Sequence, residues 1–157
     1  MRWLWVVFLT IVCAILQVSL MGSLRIGGIV PNLSLILIVC LVAWGTASEG
    51  LVSAVLAGLI LDVSGAGTFG LATSSLVVLC LVLVALRQLG VDGQAWPTRL
   101  GMVVLVTIAW GVIHVAALGM SQFAVAAVWS IMLTEVVINC LLALLYPERL
   151  ISAARTI

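Results

Sequence analysis

The chain has 157 residues, of which 66% are hydrophobic and 7% are charged, and its formal net charge is +1. A soluble domain is closer to half apolar and a quarter charged. The composition therefore excludes an ordinary soluble protein and predicts an all-α integral membrane protein with one domain over residues 1–157. A chain this weakly charged has no basic surface for a phosphate backbone, which excludes a nucleic-acid-binding protein.

Loop signals divide the chain into six apolar segments, covering residues 1–22, 32–45, 50–64, 69–86, 100–118 and 122–146. The first is long enough to cross a bilayer; a cleaved signal peptide is its alternative, although no clear cleavage motif follows. The second and third have roughly 14 residues each, about 21 Å of helix, and predict a short central helical hairpin. Pro31 suits the first turn of the second helix, where its missing N–H costs nothing.

A bundle of six transmembrane helices places both termini on one side of the membrane. The distribution of arginines between the two sides tests whether the number of spans is six. With six spans, five arginines share one side and Arg25 alone lies on the other; the five are Arg2, Arg87, Arg99, Arg149 and Arg155. The positive-inside rule then makes both termini cytoplasmic. The tryptophans agree, because four fall at the same interface: Trp3, Trp5, Trp44 and Trp96.

The third segment carries small residues at helical spacing. Gly50, Ala54, Gly58 and Asp62 recur every four residues and therefore share one helix face. Small residues at this spacing let another helix approach closely in a membrane. We therefore expect this segment in the middle of the bundle, with an adjacent surface left for a partner helix.

Asp62 precedes a turn that contains Gly65 and Gly70. One interpretation is a cap on the free N–H groups of the next helix; a second is a pair with Arg25 or His114. A third is a proton or substrate site, because ionisable groups at membrane depth are costly and suggest function. Glu49 lies near the predicted cytoplasmic end and is interpreted as a solvated turn residue.

The last segment carries Glu135 and, four residues on, Asn139, which share a face expected to point inward. Glu135 has two interpretations: a protonated carboxyl in a hydrogen-bonded pair, or an anchor for a partner helix. His114 is interpreted as a packed, hydrogen-bonded side chain and the four cysteines as core filler. No catalytic motif is present, and we expect no enzymatic activity, cofactor or metal.

With these residues in view, the chain resembles the MreD family of bacterial rod shape-determining membrane proteins. The resemblance covers roughly residues 28–90 and rests on two stretches: Pro31-Asn32-Leu33-Ser34-Leu35-Ile36-Leu37, and Gly58 to Asp62 with the turn that ends at Gly70. Asn139 resembles the family's polar position in the last span. His114 and Glu135 match no position of the family pattern.

The resemblance implies a non-enzymatic scaffold or regulatory subunit of the cell-wall elongation complex, in the bacterial plasma (inner) membrane. Its implied partners are a single-span MreC-like protein, the actin-like MreB, RodZ, and a RodA-type glycosyltransferase with its transpeptidase. The family is also similar to the six-helix S-components of vitamin transporters, which implies an alternative function: a substrate-binding membrane subunit for small-molecule uptake.

Overall fold

The computed structural model describes residues 2–23, 31–65, 69–91, 93–118 and 126–145. All regular secondary structure in these ranges is helical. The six helices are α1 (Arg2–Ser23), α2 (Leu33–Trp44), α3 (Ala47–Ser64), α4 (Leu71–Gln88), α5 (Trp96–Leu118) and α6 (Ala126–Leu145).

Within the described ranges, four helices are long and apolar enough to cross a membrane: α1, α3, α4 and α5. Two further apolar helical stretches have fewer than 18 residues: α2 and the stretch Val128–Leu144 of α6. The prediction of two equally short central helices was wrong for α3, which has 18 residues against 12 in α2.

The helix at the centre of the bundle is α2. Every residue from Ser34 to Ala43 is buried, and α2 packs against each of the other five helices. A helix that is hydrophobic all round belongs in an interior, and this one is polar only at Ser34. The expectation that α3 fills the middle was therefore wrong: α3 buries one face and exposes Leu51, Val55 and Leu59 on the other.

The early start of α3 follows from a capping box that begins at Thr46. The Thr46 hydroxyl accepts a hydrogen bond from the Glu49 N–H (3.3 Å), and the Glu49 carboxylate accepts one from the Thr46 N–H (2.9 Å). Glu49 is only 2% exposed and also forms an ion pair with Arg2. Its interpretation as a solvated turn residue was wrong, because the cap and the ion pair hold the carboxylate inside.

Two other helix starts differ from the expected positions. The first helical residue of α2 is Leu33, with Asn32 as its N-cap, so Pro31 lies before the helix and not in its first turn. The fifth helix begins at Trp96 and not at Leu100, which shortens the polar loop after α4. Pro97 is thereby in the first turn of α5, a position that tolerates proline.

Basic side chains join several helix ends at one end of the bundle. Arg87, near the end of α4, donates to the carbonyl oxygens of Val42 (2.7 Å) and Gly45 (2.9 Å) at the end of α2. Arg99, near the start of α5, lies over the Trp44 ring at 4.5 Å from its centroid. With the Arg2–Glu49 pair, these contacts bring together the starts of α1, α3 and α5 and the ends of α2 and α4.

Candidate functional site

Asp62 caps the N-terminus of α4. Its carboxylate accepts hydrogen bonds from the backbone N–H groups of Ala72 (2.9 Å) and Thr73 (3.0 Å) and from the Thr73 hydroxyl (2.5 Å). The capping interpretation is therefore the one observed. The N-cap residue itself is Gly70, whose φ of +93° suits glycine and which has no side chain to serve as a cap. Asp62 supplies the missing acceptor from another helix.

The small residues beneath Asp62 form the closest contact between α3 and α4. A Cβ added at Gly58 would overlap the Cα of Thr73 and lie 2.9 Å from its backbone nitrogen. Ala54 is fully buried, and a Cβ at Gly50 would lie 2.6 Å from a methyl group of Val42. The face of Gly50, Ala54 and Gly58 is thus filled by α2 and α4 of the same chain.

Removal of the Asp62 carboxylate is expected to destabilise the protein. In Asp62→Ala, two backbone N–H groups at the start of α4 lose their acceptor, and lost caps cost about 1–2 kcal/mol. The melting temperature of this variant in mild detergent should be lower than that of the wild type. The decrease should be smaller for Asp62→Asn, which keeps one side-chain oxygen as an acceptor. Equal melting of Asp62→Ala and the wild type would show that the cap contributes nothing.

A second polar cluster satisfies the N-terminus of α2. Asn139 of α6 accepts a hydrogen bond from the Asn32 N–H (3.0 Å) and donates one to the Thr107 hydroxyl of α5 (3.1 Å). Gln17 of α1 accepts from the Ser34 N–H (3.0 Å). Backbone N–H groups left without an acceptor at a buried helix start are destabilising. Here side chains of α1 and α6 accept their hydrogen bonds.

This cluster lies deep in the bundle because α2 is short. Its 12 residues cover about 18 Å, whereas the 22 residues of α1 cover about 33 Å. The end of α2 is near the end of the bundle that holds Arg2, so its start reaches only part of the way along the neighbouring helices. Among the described residues, space remains between α1, α3, α4 and α5 beside Gln17, which bonds this start.

A cavity of about 260 Å³ occupies that space. It is lined by residues of those four helices and of the turn after α3: Gln17, Val18, Leu61, Asp62, Ser64, Gly65, Leu71, Ala72, Trp110 and His114. Asp62 and His114 therefore face one cavity, although no salt bridge joins them. Gly65 also ends α3, where its N–H donates to the Leu61 carbonyl (2.8 Å).

His114 packs on its own helix, as the sequence predicted. Its ring stacks on Trp110 with 3.9 Å between ring centroids, and Nδ1 lies 3.0 Å from the Trp110 carbonyl oxygen. A carbonyl only accepts, so Nδ1 carries the proton and Nε2 is left as an acceptor. Among the described residues, no group of three or more His, Cys, Asp or Glu side chains is placed to hold a metal ion.

Glu135 and Asn139 do not form a pair. Asn139 is fully buried and uses both ends of its amide on α2 and α5. Glu135 is half-buried at the rim of the packed face of α6, and its carboxyl has no hydrogen bond or ion pair with any described residue. The prediction that both residues point inward is therefore confirmed for Asn139, whereas Glu135 is only partly buried.

Sequence reasoning missed the roles of several residues. The Thr46–Glu49 capping box is visible as a T-x-x-E pattern ahead of an apolar run, and it would have placed the start of α3. Asn32 is also readable as an N-cap ahead of an apolar run, and its side chain accepts from the Leu35 N–H (3.0 Å). Thr107 and the partner of Glu49 have no local signal, because their contacts are long-range. Arg25, the terminal arginines and the Gly67 turn lie outside the described residues, so the arginine count and an Arg25–Asp62 pair remain predictions.

In comparisons with known proteins, no protein-family model, no curated protein and no solved structure matches this chain.

Proposed function

We propose that the chain is a six-span, non-enzymatic membrane subunit that holds the transmembrane helix of a partner protein. The partner is the single-span MreC-like protein that the sequence resemblance implies, within a bacterial cell-wall elongation complex. MreB, RodZ and a RodA-type glycosyltransferase with its transpeptidase are the further members of that complex. Both termini lie on the cytoplasmic side of the plasma membrane.

Membrane embedding is supported by the outer surface of the bundle. Large apolar side chains are exposed along every helix outside α2, and four of those helices are long enough to span. The gathering of Arg2, Arg87 and Arg99 at one end supports a cytoplasmic assignment for that end, because arginines accumulate there. Since α2 and α6 pack within the same bundle, we count both as spans, with neighbouring helices covering the ends of the shorter α2.

The observation that carries the scaffold function is the carboxyl of Glu135, which has no hydrogen-bond or ion-pair partner among the described residues. It lies on a row of α6 side chains, which we call the α6 stripe, whose members recur at spacings of three and four residues and are partly buried or exposed: Val128, Ile131, Glu135 and Ile138. The next position of that row, Leu142, packs against the core of the bundle. Such spacing is typical of a seam between two helices. A carboxyl at membrane depth needs a hydrogen-bond partner, and a second helix seated on this stripe would supply one.

The α6 stripe predicts a specific pattern of partner binding. Glu135→Leu should reduce co-purification of the MreC-like protein at least tenfold, because the partner's polar group would then face an apolar side chain. Glu135→Gln should retain binding, since the amide still forms hydrogen bonds. The measurement is affinity purification of the tagged chain in mild detergent, with quantification of the co-eluting partner.

The same substitution separates binding from folding. Glu135 has no described intramolecular partner, so Glu135→Leu should melt at or above the wild-type temperature. A photocrosslinking amino acid at Ile131, in the stripe, should capture the partner, whereas one at Leu133, 65% exposed on the opposite side of α6, should not. Wild-type levels of co-purification with Glu135→Leu would refute the proposal.

The alternative, a substrate-binding subunit for small-molecule uptake, is favoured by one observation, the cavity beside Asp62 and His114. Uptake requires an energising ATPase, so genes for transporter ATPases beside the coding sequence would favour it. Genes for MreB- and MreC-like proteins in that position would favour the scaffold. A transport assay in cells that carry and lack the protein distinguishes the two directly.

A further inference from the structure

The cavity at the start of α2 presents a set of polar groups that the scaffold function does not use. Asp62 Oδ2 accepts two hydrogen bonds from Thr73 and Oδ1 accepts one from Ala72, and the Gly70 N–H also interacts with the carboxylate. These donors are all neutral, so the negative charge of Asp62 is not balanced by them. The carboxylate lies in a cavity whose described lining residues include no cation.

Two further groups line the cavity with unused capacity. His114 Nε2 is an acceptor, because Nδ1 bears the proton directed at the Trp110 carbonyl. Gln17 is 2% exposed; its amide oxygen is bonded to the Ser34 N–H, while its amide nitrogen bonds no described group. The cavity thus offers two acceptors, one of them charged, and one amide donor.

We propose that this cavity binds a small primary ammonium group that carries an oxygen acceptor close by, as in ethanolamine. The ammonium has three donors; two of them meet Asp62 Oδ1 and His114 Nε2, and the oxygen accepts from the Gln17 amide. No cation lines the cavity among the described residues, so the Asp62 carboxylate favours a cation over a neutral isostere. The Trp110 indole contributes an aromatic wall, which also favours a cation.

The ammonium can come from two sources that share this chemistry, a free amino alcohol or the headgroup of phosphatidylethanolamine. The site is remote from the α6 stripe in sequence and in its lining residues, so the inference is independent of the scaffold function. It would also give the uptake alternative a ligand class. Binding alone establishes no transport.

The test measures melting of the full-length protein in mild detergent. Ethanolamine hydrochloride should raise the melting temperature saturably, by about 3 °C or more. Ethylene glycol, which replaces the ammonium by a hydroxyl, and sodium chloride at equal ionic strength should not. A second experiment compares the protein in nanodiscs of phosphatidylcholine with the protein in nanodiscs that also contain phosphatidylethanolamine. A higher melting temperature in the second kind of nanodisc identifies the lipid headgroup as a source of the ammonium. A response to free ethanolamine alone identifies the amino alcohol.

Two variants locate the effect. His114→Phe keeps an aromatic ring against Trp110 but removes the acceptor, and should weaken apparent ethanolamine affinity at least tenfold. Asp62→Asn removes the charge and should abolish the response; Thr134→Val, on the exposed side of α6, should leave it unchanged. If neither ethanolamine nor phosphatidylethanolamine stabilises the wild type beyond the glycol control, or if the response persists in His114→Phe, the proposal is wrong.

Discussion

Replacement of Gly58 by leucine is expected to destabilise the protein by at least about 3 kcal/mol, the upper end of the usual cost of overpacking. The reason is geometric, because a Cβ at this position overlaps the backbone of Thr73 and not a movable side chain. Relief would require α3 and α4 to separate, which would also pull Asp62 from the cap it forms on α4. One substitution therefore weakens two contacts.

The measurement is a series of melting temperatures in mild detergent. Gly58→Ala should melt at a lower temperature than the wild type, and Gly58→Leu at a lower temperature still. Gly58→Leu should also lose partner binding, because the bundle no longer folds. Gly101→Ala is the matched control, because a Cβ at Gly101 meets no atom within 4 Å and alanine favours a helix over glycine by about 1 kcal/mol. Wild-type melting of Gly58→Ala would contradict the close approach of α3 and α4.

Loss of the Asn139 side chain is expected to cost about 2–4 kcal/mol, since each buried group left unsatisfied costs about 1–3 kcal/mol. Asn139→Ala leaves the Asn32 N–H without its acceptor and the Thr107 hydroxyl without its donor. Both residues are buried, with 2% of their surface exposed. The N-terminus of α2 should loosen, and with it the packing of α5 and α6.

Melting temperature and protease sensitivity together test this prediction. The control on the same helix is Thr134→Val: the Thr134 hydroxyl is exposed and bonds only the Ser130 carbonyl of its own helix, so its loss should have little effect. A double variant with Thr107→Val should lose less than the sum of the single effects, because both residues share one hydrogen bond. Strict additivity would indicate that the Asn139–Thr107 contact is not formed.

The arrangement around α2 gives the bundle two different surfaces. At the end with Arg2, Arg87 and Arg99, charged and aromatic groups tie helix ends together, and the ion pair is internal to the chain. On the side of α6, the partly buried α6 stripe carries the Glu135 carboxyl, which has no hydrogen bond or ion pair with a described residue. The proposed partner site is thus on a peripheral helix and not on the small-residue face of α3, which α2 and α4 already fill.

The helices and much of the α3–α4 contact follow from the amino-acid sequence alone. Long apolar runs predict helices because burial of a backbone in an apolar environment requires internal hydrogen bonds. The four-residue spacing from Gly50 to Asp62 predicted a close helix approach, and the glycine turn after Asp62 made a cap on the next helix one of three interpretations of that residue. Asn139 was also expected to point inward, as a polar group among apolar ones needs a partner.

Only the tertiary structure decided which helix is central, which partner each polar group has, and where the cavity lies. Arg2 and Glu49 are 47 positions apart, and Asn32 and Asn139 are 107 positions apart; no local pattern encodes such pairings. The cavity is lined by residues of α1, α3, α4 and α5, which no pattern within one helix specifies. Periodicity along one chain specifies which face of a helix is apolar, but the identity of the neighbour depends on how all six helices fill a common interior.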